Sequence, residues 1–377
     1  ETGYEDSFQL FPSVLTDSGH ILFGLIKRSD ASQTFKKGII WSQNGIVEIC
    51  PDCAAVSPTD MNENREVIGR FYPEGTEEES HPFFWTPEKG LVDLYQDLEV
   101  RLAIPGNLAL VAINNHGRVL IQTHNETRPH YAGVQMSFSD QFSLGYIVDL
   151  ISKPVVVESL PAGRMYVDLN DDNEVVGFNE EGVFLFGDGV ERNLESPKEA
   201  KYNLMPRSIN NQDDILFEAT YFDRKDRSGS DKGPVMWSEK EGFREYRLPV
   251  LNEPPYVDQH QISIKFNDLG DLLTYEERNH VPLATKWFDK VGIKAAWFPK
   301  PIQKHLYEKS VNHLMIWKNE SWNDINNCIS YEMNWHFPLS WSFDINNKGW
   351  IVAMAFKDNR SLPVLLKPLH YPTNDER

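Results

Sequence analysis

Short apolar runs alternate with short polar turns along nearly the whole chain, and one such pairing returns seven times. Its clearest copy sets Phe343-Asp344-Ile345 and Trp350-Ile351-Val352 around the turn Asn346-Asn347-Lys348-Gly349. Asn hydrogen-bonds its own backbone and tolerates the left-handed region, and Gly takes positive φ without a steric cost. Two apolar runs joined by Asn-x-x-Gly therefore read as a β-hairpin closed by a type I turn and a Gly bulge. The copies begin at Thr16, Asn62, Asn114, Asn170, Asn210, Asn267 and Asn346. In three of them the fourth place holds Arg65, Asn173 or Asp213 instead of Gly. Of these, Arg65 is the residue least suited to positive φ.

A second hairpin follows inside most periods: an apolar run ending in Trp, a polar turn, and another apolar run. Ile39-Ile40-Trp41-Ser42 precedes Gly45-Ile46-Val47, Phe83-Phe84-Trp85-Thr86 precedes Gly90-Leu91-Val92, and Val235-Met236-Trp237 precedes Gly242-Phe243. Met315-Ile316-Trp317 precedes Trp322-Asn323-Asp324-Ile325. The recurring Trp41, Trp85, Trp237 and Trp317 are expected between packed sheets, where large flat side chains fill space. Two hairpins per period make a four-stranded antiparallel blade with strands A to D. Successive turns start 46, 52, 56, 40, 57 and 79 residues apart. Periods near 40–50 residues with several short strands each mark a β-propeller. The fold class is therefore all-β, a seven-bladed β-propeller forming one domain over residues 4–377. The long sixth period carries an insertion over residues 275–312. The seventh has strands A, B and C and no D, so Phe8–Phe11 is expected to complete the last blade as its outer strand, removing an open edge.

The copy Asp168-Leu169-Asn170-Asp171-Asp172-Asn173-Glu174-Val175-Val176-Gly177, followed by apolar-Trp hairpins and Asp-Leu, resembles the extracellular HAF-type repeat family. The resemblance spans about residues 8–370 and implies a repeat β architecture. It brings no catalytic residues and no cofactor.

Charge narrows the partners. Lys and Arg total 37 against 56 Asp and Glu, a formal net charge of −19. Such a chain is repelled by nucleic acid and by anionic lipid, and no apolar run is long enough to span a bilayer. Glu1-Thr2-Gly3 reads as the scar of a cleaved secretion leader. A secreted or extracellular protein then follows, with glycosylation sequons at Asn125, Asn319 and Asn359. Cys50-Pro51-Asp52-Cys53 has a spacing shared by redox sites, zinc sites and small disulfide-closed loops. Cys328 alone cannot complete a four-ligand zinc site, and no βαβ setting supports a thioredoxin-like reading, so a disulfide loop is favoured.

In this topology A–B and C–D turns share one rim, while B–C loops and D–A linkers share the other. Nearly all the irregular length falls on the second rim, which is expected to carry function. The blade-six insertion is basic and aromatic in an acidic chain. Candidate binding residues there and nearby are Trp287, Lys290, Lys294, Trp297, His280, Trp335 and His336, facing a protein or glycan partner. The alternative is a hydrolase or lyase working at the channel mouth. It would draw on His260, His280 with Glu276 and Glu277, and His336, none of which has a partner at a diagnostic spacing. Asp60-x-Asn62-x-Asn64-x-Glu66 and Asp168-x-Asn170-x-Asp172-x-Glu174 imitate calcium loops, but lack the Gly at position six and the distal Glu. The plainer reading is a turn in which Asn and Asp serve the backbone, with no metal.

Overall fold

The computed structural model describes residues 8–27, 35–75, 80–97, 100, 103–104, 107–124, 142–195, 202–221, 232–246, 264–280, 309–328, 342–357 and 360–368. These form seven antiparallel sheets, each built from consecutive strands. Blade one comprises β1 (Phe8–Leu15), β2 (Ile21–Lys27), β3 (Phe35–Ser42) and β4 (Gly45–Glu48). Blade two comprises β5 (Ala55–Met61), β6 (Val67–Tyr72), β7 (His81–Thr86) and β8 (Gly90–Asp93). Blade three holds β9 (Asn107–Ile113), β10 (Arg118–His124), β11 (Phe142–Asp149) and β12 (Val156–Leu160). Blade four holds β13 (Met165–Leu169), β14 (Val175–Asn179), β15 (Gly182–Gly187) and β16 (Val190–Leu194). Blade five is β17 (Tyr202–Ile209), β18 (Ile215–Tyr221), β19 (Lys232–Ser238) and β20 (Gly242–Glu245). Blade six is β21 (Ile264–Phe266), β22 (Leu272–His280), β23 (Lys309–Lys318) and β24 (Ser321–Asp324). Blade seven is β25 (Phe343–Ile345), β26 (Ile351–Lys357) and β27 (Arg360–Leu366). Among the described residues, no helix is long and apolar enough to cross a membrane.

Each blade hides its apolar faces against its neighbours. The buried side chains fall into seven clusters, one per interface. Trp85 packs between blades one and two, Trp237 between four and five, and Trp317 between five and six. Trp41 lies at the seam of blades seven and one, with Leu10, Phe23, Val352 and Trp350. Each of these tryptophans thus faces the preceding blade.

Two expectations are corrected. Phe8–Phe11 does not complete the last blade: Phe8 pairs with Lys27 and Phe11 with Gly24, so this segment is the outer part of blade one's own inner strand. Phe8, Leu10 and Phe11 continue the apolar pattern of β1, and pairing them locally costs less chain entropy than a closure across the whole ring. Among the described residues, blade seven therefore has three strands. The insertion is also shorter than its sequence bounds. Tyr275 pairs with Leu314 and the ladder runs on to His280 opposite Lys309, leaving only residues 281–308 outside it. Tyr275 is buried in the interface with blade seven, which explains why the strand does not stop at Thr274.

Candidate functional site

The seven A–B turns meet around the central channel. In every turn the first residue's N–H bonds the carbonyl four residues on, and the fourth residue's N–H bonds the first residue's carbonyl. The fourth place has positive φ in all seven copies, at Gly19, Arg65, Gly117, Asn173, Asp213, Gly270 and Gly349. Gly117 has a second reason to be Gly, because a Cβ there would sit 2.4 Å from Ile151 Cδ1.

The first-place Asn serves two partners. Its Oδ1 accepts backbone N–H groups within its own turn, as in Asn267 with Leu269 at 3.1 Å and Asp271 at 2.9 Å. Its Nδ2 donates to the first-place carbonyl of the next blade: Asn62 to Asn114 at 2.8 Å, Asn114 to Asn170 at 3.0 Å, and Asn170 to Asn210 at 3.4 Å. The series continues from Asn210 to Asn267 at 3.3 Å, Asn267 to Asn346 at 2.9 Å, and Asn346 to Thr16 at 2.9 Å. An Asp could do the first task but has no donor for the second. Thr16 also lacks the amide, so this ring has six such links.

A second ring runs through the next residue of each turn, and it is complete. Each second-place backbone N–H donates to the second-place side chain of the following blade. Glu63 donates to Asn115, Asn115 to Asp171, and Asp171 to Asn211. Asn211 then donates to Asp268, Asp268 to Asn347, Asn347 to Asp17, and Asp17 to Glu63. The Nδ2 groups of Asn115, Asn211 and Asn347 add a second bond to the same carboxylates, at 2.9, 3.2 and 2.9 Å. The rings surround a cavity of about 210 Å³ at the channel mouth.

Below them lies a third tier, two residues before the turn Asn. Asp60 accepts from Ile113 N–H at 3.0 Å, Asp168 from Ile209 at 3.0 Å, and Asp344 from Leu15 at 2.7 Å. Each clamps the next blade's inner strand. Lys265 occupies the same place in blade six and attracts all three carboxylates. These aspartates face the narrow channel and are half-buried. Desolvation raises all three pKa values, that of Asp168 to about 7, against the pull of its backbone donors. Burial likewise raises Glu174, with repulsion from Asp213 adding to it. Of the oxygens that imitate a calcium loop, those of Asp60, Asn62, Asp168 and Asn170 accept backbone donors, Glu66 accepts the Asn62 amide, and Glu174 Oε1 accepts the Arg192 guanidinium. Among the described residues, no cluster of three or more His, Cys, Asp or Glu is placed to hold a metal.

The same rim has a groove of about 530 Å³ between blades five and six. Tyr246 and Trp317 meet edge to face at 5.3 Å. Arg244 lies 5.1 Å from the Tyr246 ring centre and crosses the interface to Glu320 at 2.7 Å.

Of the candidates named from sequence, Trp287, Lys290, Lys294, Trp297, Trp335, His336, Asn125 and Asn359 lie outside the described residues, as does His260. His280 is the last residue of β22, with its backbone opposite Lys309. Asn319 is exposed in the β23–β24 turn at positive φ. Cys50 and Cys53 form a disulfide with Cα atoms 5.5 Å apart, packed against the apolar cluster between blades one and two. Sequence reasoning missed the third tier, although Asp60-Met61-Asn62, Asp168-Leu169-Asn170 and Asp344-Ile345-Asn346 repeat one spacing in plain view.

No protein-family model matches the chain, and no curated protein matches it in sequence. Solved structures do share its fold. The β-propeller domain of the trilobed protease from Pyrococcus furiosus, described as having an open velcro topology, aligns with a TM-score of 0.54 at 12% identity. That alignment covers 94% of this chain and 92% of that one. Acylaminoacyl peptidase from Pyrococcus horikoshii aligns with a TM-score of 0.55 at 11% identity over 97% of this chain, which spans only 52% of the peptidase. The chain is a β-propeller, a fold it shares with propellers of peptidases.

Proposed function

We propose that the chain is an extracellular interaction protein that offers its loop-bearing rim to a protein or glycan partner. One observation carries this reading: the two rims are built to opposite specifications. On the turn rim, short connections such as residues 62–66 and 267–271 are locked together by the two hydrogen-bonded rings. On the other rim, the strand ends leave connections as long as residues 125–141, 246–263, 281–308 and 325–342. A rigid scaffold with variable loops gathered at one end is a common way to place a binding surface. The Cys50–Cys53 disulfide on that rim suits an oxidising compartment. The resemblance to the extracellular HAF-type repeat family supports the same location.

The test deletes residues 281–308, closing β22 to β23 with a short Gly-Ser linker. Wild type and variant are compared for capture of extracellular proteins and for binding to a glycan array. Loss of binding at an unchanged melting temperature supports the reading. Binding equal to wild type moves the surface elsewhere.

A further inference from the structure

The groove between blades five and six is unlike the tightly sealed turns beside it. Its floor is Tyr246 and Trp317, with Met236 packed alongside in the same apolar cluster. Leu269 stands at its edge with 67% of its surface exposed. Its walls carry carboxylates from Glu239, Glu241 and Glu320 and the guanidinium of Arg244. Aromatic and aliphatic faces interleaved with side-chain donors and acceptors suit a saccharide, whose C–H faces stack on rings while its hydroxyls take the polar groups.

Asn319 lines this groove. It opens the sequon Asn319-Glu320-Ser321. Asn319 and Glu320 both have positive φ, at 53° and 62°, which makes a tight hairpin turn that lifts the Asn clear of the sheet. The carboxamide is exposed, and Trp317 lies two residues before it on the strand that forms the groove floor.

We propose that Asn319 carries an N-linked glycan and that the groove between blades five and six seats its first sugars against Trp317 and Leu269. In the covalent step, the Asn319 amide nitrogen displaces the lipid pyrophosphate from a lipid-linked oligosaccharide. It loses one proton and forms the N-glycosidic bond. The inference concerns the turn rim and stands apart from the partner surface proposed for the opposite one.

The test secretes the full chain from a eukaryotic cell and maps glycopeptides by mass spectrometry. Three forms are then compared: fully glycosylated, trimmed by endoglycosidase H to a single N-acetylglucosamine, and the Asn319→Asp variant trimmed in the same way, which tolerates the positive φ of the turn and leaves the Ser321 hydroxyl bonded to the Lys318 carbonyl but cannot be glycosylated at this position. The expected results are occupancy at Asn319, and a melting temperature in the trimmed form about 1–3 °C above that of Asn319→Asp. Hydroxyl-radical footprinting should show at least twofold lower labelling of Trp317 and Leu269 in the trimmed form. An unmodified Asn319 overturns the proposal. A glycan on Asn319 with unchanged melting and footprint overturns the seat.

Discussion

Asn at the first place of the turn is fixed by two demands that no other residue type meets together. Its oxygen must fold its own turn, and its amide must reach the neighbouring blade. Replacing Asn267 by Asp keeps the first bond and turns the second into a buried repulsion with the Asn346 carbonyl and the nearby Asp271 carboxylate. The expected cost is about 3 kcal/mol, read from chemical denaturation. Thr16→Asn is the converse experiment, since it supplies the one missing amide opposite the Asn62 carbonyl, and it should raise the denaturation midpoint. The sequence made the first demand visible, because Asn-x-x-Gly is a turn signal in itself. It hid the second, because a donor aimed at a residue 40 to 79 positions away leaves no local trace. Arg65 shows the same limit from the other side. It adopts the expected positive φ, here 64°, although nothing in its own chemistry asks for it.

At the scale of the strand, blade seven is the exception. Its outer strand β27 has no further partner among the described residues, and its side chains from Ser361 to Leu366 are all only half-buried. Pro363 sits in the middle of it, opposite Met354. Proline has no N–H to offer, and on an edge it interrupts the row of donors that another chain would use. Pro363→Val should therefore leave the monomer folded but promote association, seen as a growing high-mass fraction by light scattering at rising concentration. A scattering profile identical to wild type would show that the edge is covered in some other way. The three local strands of this blade were legible in the sequence, whereas the fourth, assigned to Phe8–Phe11, was misplaced. An apolar run reads the same whether it extends its own hairpin or crosses to another sheet, and the choice is made by chain entropy that the pattern does not encode.

The whole molecule concentrates acid at its axis. Asp60, Asp168 and Asp344 hold raised pKa values in the channel, and Glu66, Glu174 and Asp214 do so in the surrounding turns, in each case first through burial. A carboxyl whose folded pKa exceeds its unfolded value keeps a proton that the unfolded chain releases. Folding is then favoured at the acid end of the window and loses that support as pH rises through the folded pKa. For Asp168 the window runs from about 4, the ordinary carboxylate value, to about 7. The melting temperature should accordingly fall between about pH 4 and about pH 7, and Asp168→Asn should flatten the slope. A melting temperature that climbs over this interval would mean that Lys265 and the backbone donors outweigh desolvation.

The seam between blades seven and one is held by Asn346 and Asn347 reaching Thr16 and Asp17, by Asp344 gripping the Leu15 amide, and by Val352 against Leu25 and its neighbours. No main-chain ladder among the described strands joins the two sheets. Among the described residues, parting them breaks side-chain bonds and wets one apolar cluster, while every described strand stays whole. Among the described strands, this seam can therefore loosen without the loss of a single rung of any blade.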